Sequence, residues 1–430
     1  MSTFDNLGRA GLEVPTAQVQ AGSPFFSFLK IWRSELMRLS LVLFLFLHYV
    51  AMSIEGGRVV ILGAGIHGAS IAYHLKDLKP IVIDNIGVAA AASGKSGGFL
   101  ARNWGSGPTV QLHTKSFDYH EVLAKELNLK SYRKIDTYQV NGNINGEKFK
   151  WLDRKVSVAL MDTDTAQITP IELTTRMMEE VERSGGEVII GDCSNIVQEN
   201  DVVRSIDING NRVEVEKLII ALGPWTGAFC ESTFNFIIPC EGIKSTSIVF
   251  HGINPIQQNP FACFCEEDDN SCHLEIYPRN DNTVYVCGIG GSDYVKGPRL
   301  ASNGEYCTAD KVLADPSRVN AALKSLRAMS SVFDVEPAVT QSCMRPVTID
   351  GLPVMGKLSP NSNVIISSFH NCWGILWAPI CGKAIGELVL QGESKSIDLR
   401  PFTPSRFNNI EKNKSRGKNV GGNKAVGEQW

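Results

Sequence analysis

Three closely spaced glycines, Gly63, Gly65 and Gly68, stand where an apolar run becomes a helix-forming one: Arg58-Val-Val-Ile-Leu-Gly63-Ala-Gly65-Ile66-His67-Gly68-Ala-Ser-Ile-Ala. Each glycine has its own task. The first permits a tight strand-to-helix turn, the second lets backbone approach a pyrophosphate, and the third lets helix and strand pack closely. The helix N-terminus, with Ile66 and His67 in its first turn, adds N–H donors and a positive dipole end. Asp84 closes a second apolar run, Pro80-Ile-Val-Ile-Asp84, about twenty residues past the first glycine, where a carboxylate accepts hydrogen bonds from a ribose diol. The chemistry this implies is dinucleotide recognition, against the plainer alternative of a βαβ unit that binds nothing.

Directly after the second run come Ala89-Ala-Ala-Ala-Ser93-Gly94-Lys95-Ser96-Gly97-Gly98-Phe99. Small side chains, hydroxyls and backbone amides can lie against phosphate, and against a cofactor larger than a nicotinamide dinucleotide; a flexible linker is the competing reading. Further on, Arg345 in Met344-Arg345-Pro346 carries a planar fork that matches a carboxylate in two parallel hydrogen bonds. Its alternative is a structural pairing with Asp350 or another acid. His370 can contact a ligand or fill the core. Cys263-Phe-Cys265 and Cys272-His273 contain metal-ligating types, but zinc sites usually space paired cysteines by two or more residues. A loop entering a strand accounts for them, and no metal is expected.

The elements that must position these groups follow from periodicity. Val59–Leu62 is a continuous apolar run suited to a buried parallel strand, and the helix behind it runs through Ile71, Ala72 and Leu75. Thr165–Pro170 leads into a helix through Leu173, Met177 and Val181, and Gly185–Ile190 returns as a strand, giving a second crossover unit. His273 to Gly288 alternates on both sides of an Asn/Asp turn, which is a hairpin. A helix is expected around Asn320 to Met329. A ligand belongs between the layers, at the carboxyl ends of the parallel strands.

Four stretches, in order, resemble the D-amino-acid-oxidase (DAO) type of FAD-dependent oxidoreductase, the family that includes glycine and sarcosine oxidases. They are the glycine turn with its Ser93–Phe99 loop; Leu218-Ile-Ile-Ala221-Leu-Gly223-Pro-Trp225; Met344-Arg345-Pro346-Val-Thr-Ile-Asp350-Gly-Leu-Pro-Val-Met-Gly356; and Asn363-Val-Ile-Ile-Ser-Ser-Phe369-His370-Asn371-Cys-Trp373-Gly374-Ile375-Leu376. Within the family the chain is similar to a little-characterised eukaryotic subgroup. The resemblance implies an α/β fold, with an FAD-binding Rossmann-like parallel sheet and an antiparallel β-rich substrate domain. It implies that Ala221, Gly223 and Trp225 pass the flavin, that Trp373, Gly374, Ile375 and Leu376 meet the flavin ring, and that Arg345 lies on the substrate side. The family usually flanks its histidine with glycines, where this chain has Phe369 and Asn371, which puts the geometry around His370 in doubt. Cys343-Met344, with Thr348 and Asp350, also resembles the segment of monomeric sarcosine oxidases whose cysteine is bonded to the flavin; those enzymes have Tyr where Arg345 stands, so non-covalent FAD is expected, with a bond through Cys343 as the alternative.

The implied reaction is oxidation of the C–N bond of an amino acid or other small amine, with hydride passing to flavin and oxygen as acceptor. An NAD(P)-dependent dehydrogenase and a low-turnover flavin-binding scaffold in intracellular trafficking are the other readings. The cofactor-binding domain is discontinuous, residues 57–135, 155–235 and 340–403, with 136–154 and 236–339 on the substrate side. Residues 1–56 are an extension whose apolar run, Leu39–Met52, falls short of the roughly 20 residues of a spanning helix. It matches a signal or anchor segment, or Met52 is the natural start of the domain; stable membrane insertion is not expected. Residues 404–430 read as a disordered tail. A net charge of −3 gives no reason to expect nucleic acid as a partner, and 11 scattered cysteines read as reduced thiols in a cytoplasmic setting.

Overall fold

Strands buried on both faces need apolar side chains in both registers of the period-two alternation, and Arg58–Leu62, Ile81–Asp84 and Val364–Ser368 supply them. In the computed structural model, which describes residues 58–141, 149–154 and 156–408, these strands lie in one sheet. Its order is Val354–Lys357, Val364–Ser368, Asn211–Ile220, Arg58–Leu62, Ile81–Asp84 and Glu187–Ile190. All neighbours are parallel except the first pair. Val59, Ile61, Val82, Ile219 and Ile365 face three helices, Ile66–His74, Val110–Glu126 and Gly374–Gln391. The alternate residues Val60, Leu62, Ile81, Ile83 and Ile220 pack on the antiparallel pair Cys193–Glu199 and Val202–Ile208. Of the described helices, Asn371–Gln391 alone is long and apolar enough to cross a membrane. Here it is wedged against Ile66–His74 and Val110–Glu126 as a core element.

The second sheet is antiparallel over most of its width and runs Asp293–Lys296, Cys240–His251, Thr283–Cys287, Glu275–Pro278, Ala262–Cys265, Thr137–Asn141 and Ser157–Asp162. One face packs on the helix Pro316–Met329; the other faces the cofactor layer. The expected hairpin is its Glu275–Cys287 segment, in register from Glu275↔Cys287 to Pro278↔Val284.

Three boundaries differ from the sequence reading. Ser157–Asp162, placed on the cofactor side, pairs with Thr137–Asn141 in the antiparallel sheet. Val339–Thr348 also joins that sheet, in unbroken register with Cys240–His251 from Cys240↔Thr348 to Val249↔Val339, so the cofactor layer resumes after Thr348 rather than at 340. Residues 404–408 are not the start of a tail: Phe402 and Phe407 are buried and Arg406 bonds Asp350 at 2.8 Å. Cys263 and Cys265 lie within a strand rather than in a loop before one. The extension 1–56 and residues 409–430 lie outside the described residues.

Candidate active site

Gly63 turns with φ +105°, and a Cβ there would lie 2.4 Å from the Ala221 carbonyl oxygen; one at Gly68 would lie 1.9 Å from the Gly63 oxygen. Both contacts are backbone, so these two glycines let strand and helix meet at all. Gly65 differs. A Cβ there meets only Ser93 Oγ, at 3.1 Å, and that hydroxyl accepts a hydrogen bond from Ile66 N at 2.8 Å. The open side of the turn is the wall of a cavity.

That cavity, about 570 Å³, lies between the two sheets at the carboxyl ends of the parallel strands. Gly63, Gly65, Ile66, His67, Asp84, Ser93, Ser96, Gly97, Gly98, Phe99, Ala221, Gly223, Trp225, Arg345, His370, Trp373, Gly374 and Ile375 line it. Asp84 has a second duty there, because its carboxylate accepts from Ala64 N, Ile86 N and Gly87 N at 2.9, 2.9 and 3.0 Å and ties the glycine turn to the following loop. Four sequence candidates do not line the cavity. Gly68 packs helix on strand, and a Cβ at Gly94 would lie 2.2 Å from the Ala89 carbonyl oxygen. Lys95 offers its carbonyl to Gln341 Nε2 at 3.0 Å. Leu376 is fully buried. Ala92–Lys95 forms one helical turn, which leaves Ala92 and Ser93 on the cavity and turns Gly94 and Lys95 away from it.

His370 is 2 % exposed and stacks on His67, with ring centroids 3.5 Å apart and planes 13° from parallel. Burial pushes the His67 imidazole down to about 3, and burial reinforced by His67 drives His370 well below its ordinary value. Both rings are therefore neutral at physiological pH, which fits neither with a protonated general acid. Phe369 and Asn371 on either side have φ +66° and +49°, the left-handed conformation that glycine adopts without cost. The backbone thus keeps a glycine-type path with non-glycine residues. Phe369→Gly and Phe369→Ala both remove the same buried ring, but only glycine relieves the roughly 1–2 kcal/mol of left-handed strain. Phe369→Gly should therefore melt higher than Phe369→Ala, the reverse of the usual order, and thermal denaturation checks it.

Arg345 settles one of the alternatives left open by sequence. Asp350 is engaged by Arg406 Nε, Thr348 Oγ1 and Leu352 N at 2.8, 2.7 and 3.1 Å, not by Arg345. Among the described residues no carboxylate forms an ion pair with Arg345. Burial opposes its charge, but Cys372, Cys343 and Glu275 nearby outweigh burial and hold the guanidinium protonated.

Two positioning residues escaped the sequence. His120 Nε2 donates to the carbonyls of Ile375 and Leu376, both at 3.1 Å, and fixes the first turn of the Gly374–Gln391 helix. His113 Nδ1 donates to Ala101 O at 2.9 Å and sets its ring edge-on to Trp373, with centroids 4.5 Å apart. Both sit on the buried face of Val110–Glu126 with Leu112, Phe117 and Leu123. Their spacing of seven, shared with that apolar stripe, is the signal that marks them as inward-facing.

A doubly layered α/β fold with a glycine turn opening into an inter-sheet cavity defines a dinucleotide-dependent enzyme. Residues 58–388 match the DAO family of FAD dependent oxidoreductases, and the chain belongs to that family. A Schizosaccharomyces pombe protein described as a candidate oxidoreductase is 28% identical over 391 residues, covering 80% of this chain and 97% of its own. Among solved structures, the L-amino acid deaminase of Proteus vulgaris superposes with a TM-score of 0.68 at 15% identity, covering 82% of this chain and 97% of that one. The glycine oxidase of Geobacillus kaustophilus superposes at 0.66 and 19% identity, covering 81% and 98%.

The residues present fit FAD. The Gly65 side of the turn leaves open a cradle that a larger side chain would fill. Ser96 Oγ, Ser367 Oγ, His370 Nε2 and Asn371 Oδ1, all on the cavity wall, are buried without a hydrogen-bond partner among the described residues. Buried polar atoms that stay unpaired are rare and call for a polar ligand. The enzyme is thus an FAD-dependent oxidoreductase related to amino-acid oxidases.

Proposed function

We propose that this enzyme oxidises the carbon–nitrogen bond of a small amino acid or similar amine, with oxygen as the electron acceptor. The observation that carries the reading is Arg345, a half-buried cation on the cavity wall with no ion-pair partner among the described residues. A substrate carboxylate supplies the missing charge in the two-bond geometry that a guanidinium favours. Bound FAD supplies the hydride acceptor. The chain's work is then placement: Arg345 fixes the substrate's anionic end, and Phe99, stacked on Tyr277 with centroids 5.2 Å apart, closes the wall against water. Peptide N–H groups at Gly374 and Ile375, held by His120, present the positive end of a helix toward the cavity. The substrate's ammonium loses a proton to water and its carbon a hydride, leaving an iminium that water hydrolyses to a carbonyl and ammonium.

Peroxide release measured across amino acids, N-methyl amino acids and uncharged-end amines tests this. Turnover of carboxylate-bearing amines that is much faster than that of amines of the same size lacking the carboxylate supports it. Turnover confined to amines without a carboxylate overturns it.

Cys343 lines the same cavity two residues before Arg345. Burial raises its thiol above the ordinary range, and Arg345 and Lys95 offset that only in part. A protonated thiol is a poor nucleophile, so in our reading FAD is held without a covalent bond. Acid precipitation should release yellow colour into the supernatant from both the native protein and Cys343→Ala. Colour retained in the native pellet alone would establish the bond.

A further inference from the structure

The antiparallel sheet sorts its residues by parity. Ile276, Val286 and Ile248 point away from the cavity into the core beneath the Pro316–Met329 helix. Their neighbours in the alternating register, Glu275 and Cys287, line the cavity, as does Arg345 on the strand Val339–Thr348. A carboxylate and a guanidinium thus share one wall of the cavity. They are not an ion pair: no Arg345–Glu275 contact of that kind is present among the described residues, although the two are close enough for Glu275 to bear on the charge of Arg345.

Glu275 is held unevenly. Tyr277 Oη donates to its Oε2, and Cys287 Sγ, opposite it across the hairpin, donates to the same oxygen at 3.2 Å. Among the described residues nothing donates to Oε1. Two neutral donors fix the carboxylate's orientation without neutralising it, and a partly buried charge without a counter-charge is costly. No lysine, arginine or histidine among the described residues pairs with it. Cation and anion therefore stand apart on one wall, each with bonding capacity left for something between them.

We infer that the cavity takes a zwitterion, with the substrate's carboxylate on Arg345 and its protonated nitrogen on Glu275 Oε1. This rests on the proposed function and deepens it, because it makes the free cationic nitrogen, as well as the carboxylate, a requirement for tight binding. Glu275 is then a specificity-determining residue. It favours amino acids over plain carboxylates of the same shape.

Three probes that lack a hydrogen on the reacting carbon, and so bind without turnover, separate the contributions: 2-aminoisobutyrate, pivalate and tert-butylammonium. Each is titrated against the FAD-loaded full chain and followed by the change in flavin absorbance. In the native protein 2-aminoisobutyrate should bind at least about tenfold tighter than either single-charge probe, the gain of one charge-assisted bond. Equal binding of 2-aminoisobutyrate and pivalate overturns the inference, and this ranking requires no variant to fold. Glu275→Gln should weaken 2-aminoisobutyrate and tert-butylammonium by about tenfold or more while leaving pivalate unchanged or tighter. Arg345→Gln should weaken 2-aminoisobutyrate and pivalate by a similar factor while leaving tert-butylammonium unchanged or tighter. If Glu275→Gln weakens pivalate as much as 2-aminoisobutyrate, Glu275 only supports the wall and the inference fails. If Arg345→Gln abolishes binding of 2-aminoisobutyrate and Glu275→Gln leaves it untouched, the inference fails while the carboxylate reading stands. Pivalate indifferent to Arg345→Gln overturns the carboxylate reading itself.

Discussion

Gly65→Leu is expected to yield a folded protein without yellow colour. The cavity side of the glycine turn is bounded at position 65 only by Ser93 Oγ, 3.1 Å from where a Cβ would sit. A leucine there projects into the space where backbone must approach a pyrophosphate, and it disturbs the Ile66 N to Ser93 Oγ bond that organises the first turn. Weakening of about a hundredfold, roughly 2.7 kcal/mol, is enough to lose most bound cofactor during purification. Position 65 is the informative one because its neighbours confound folding with binding: substituents at Gly63 and Gly68 would collide with backbone at 2.4 and 1.9 Å. Flavin content per chain should fall below about a tenth of the native value while the far-ultraviolet spectrum is preserved. Undiminished flavin in a folded Gly65→Leu protein sinks the placement of the cofactor at this turn.

Local signals made the cofactor layer legible in the sequence. Gly63, Gly65 and Gly68 are constrained by contacts within one βαβ unit, and the parallel strands need apolar runs that no solvent-facing strand has. The helix through Leu173, Met177 and Val181 and the Glu275–Cys287 hairpin were equally readable, each from its own period. Sheet membership was not, because pairing is a non-local choice. Nothing in Ser157–Asp162 or Val339–Thr348 states which sheet it will join, and both joined the antiparallel one. Orientation inside short segments was also hidden. Ser93 and Ser96 face the cavity while Gly94 and Lys95, in the same helical turn, do not. Glu275 escaped for a related reason: alternation shows that it shares a face with Tyr277, but not that this face looks onto Arg345. The departure at Phe369 and Asn371 was visible as composition, and only the backbone revealed that the left-handed path had been kept.

Arg345→Lys should leave the fold and FAD content intact and cut kcat/KM for carboxylate-bearing substrates by about 10- to 150-fold, or roughly 1.5–3 kcal/mol. The reasoning turns on what arginine does that lysine does not. Both are cations, so charge compensation for a substrate carboxylate survives the exchange, but the planar two-bond fork becomes a single ammonium on a flexible stem. The substrate then binds less tightly and in a wider range of orientations, so KM rises and kcat falls as the reacting C–H bond spends less time aligned. Stability should change little, because Asp350, the acid nearest in sequence, is already satisfied by Arg406 and Thr348, and no ion pair within the described residues is lost. Amines without a carboxylate provide the internal control, since their turnover should be unaffected by the exchange. A structural arginine would behave in the opposite way: Arg345→Lys would lower the melting temperature and reduce turnover of both substrate classes alike. Full activity on amino acids with lysine at this position would show that the carboxylate is held elsewhere in the cavity.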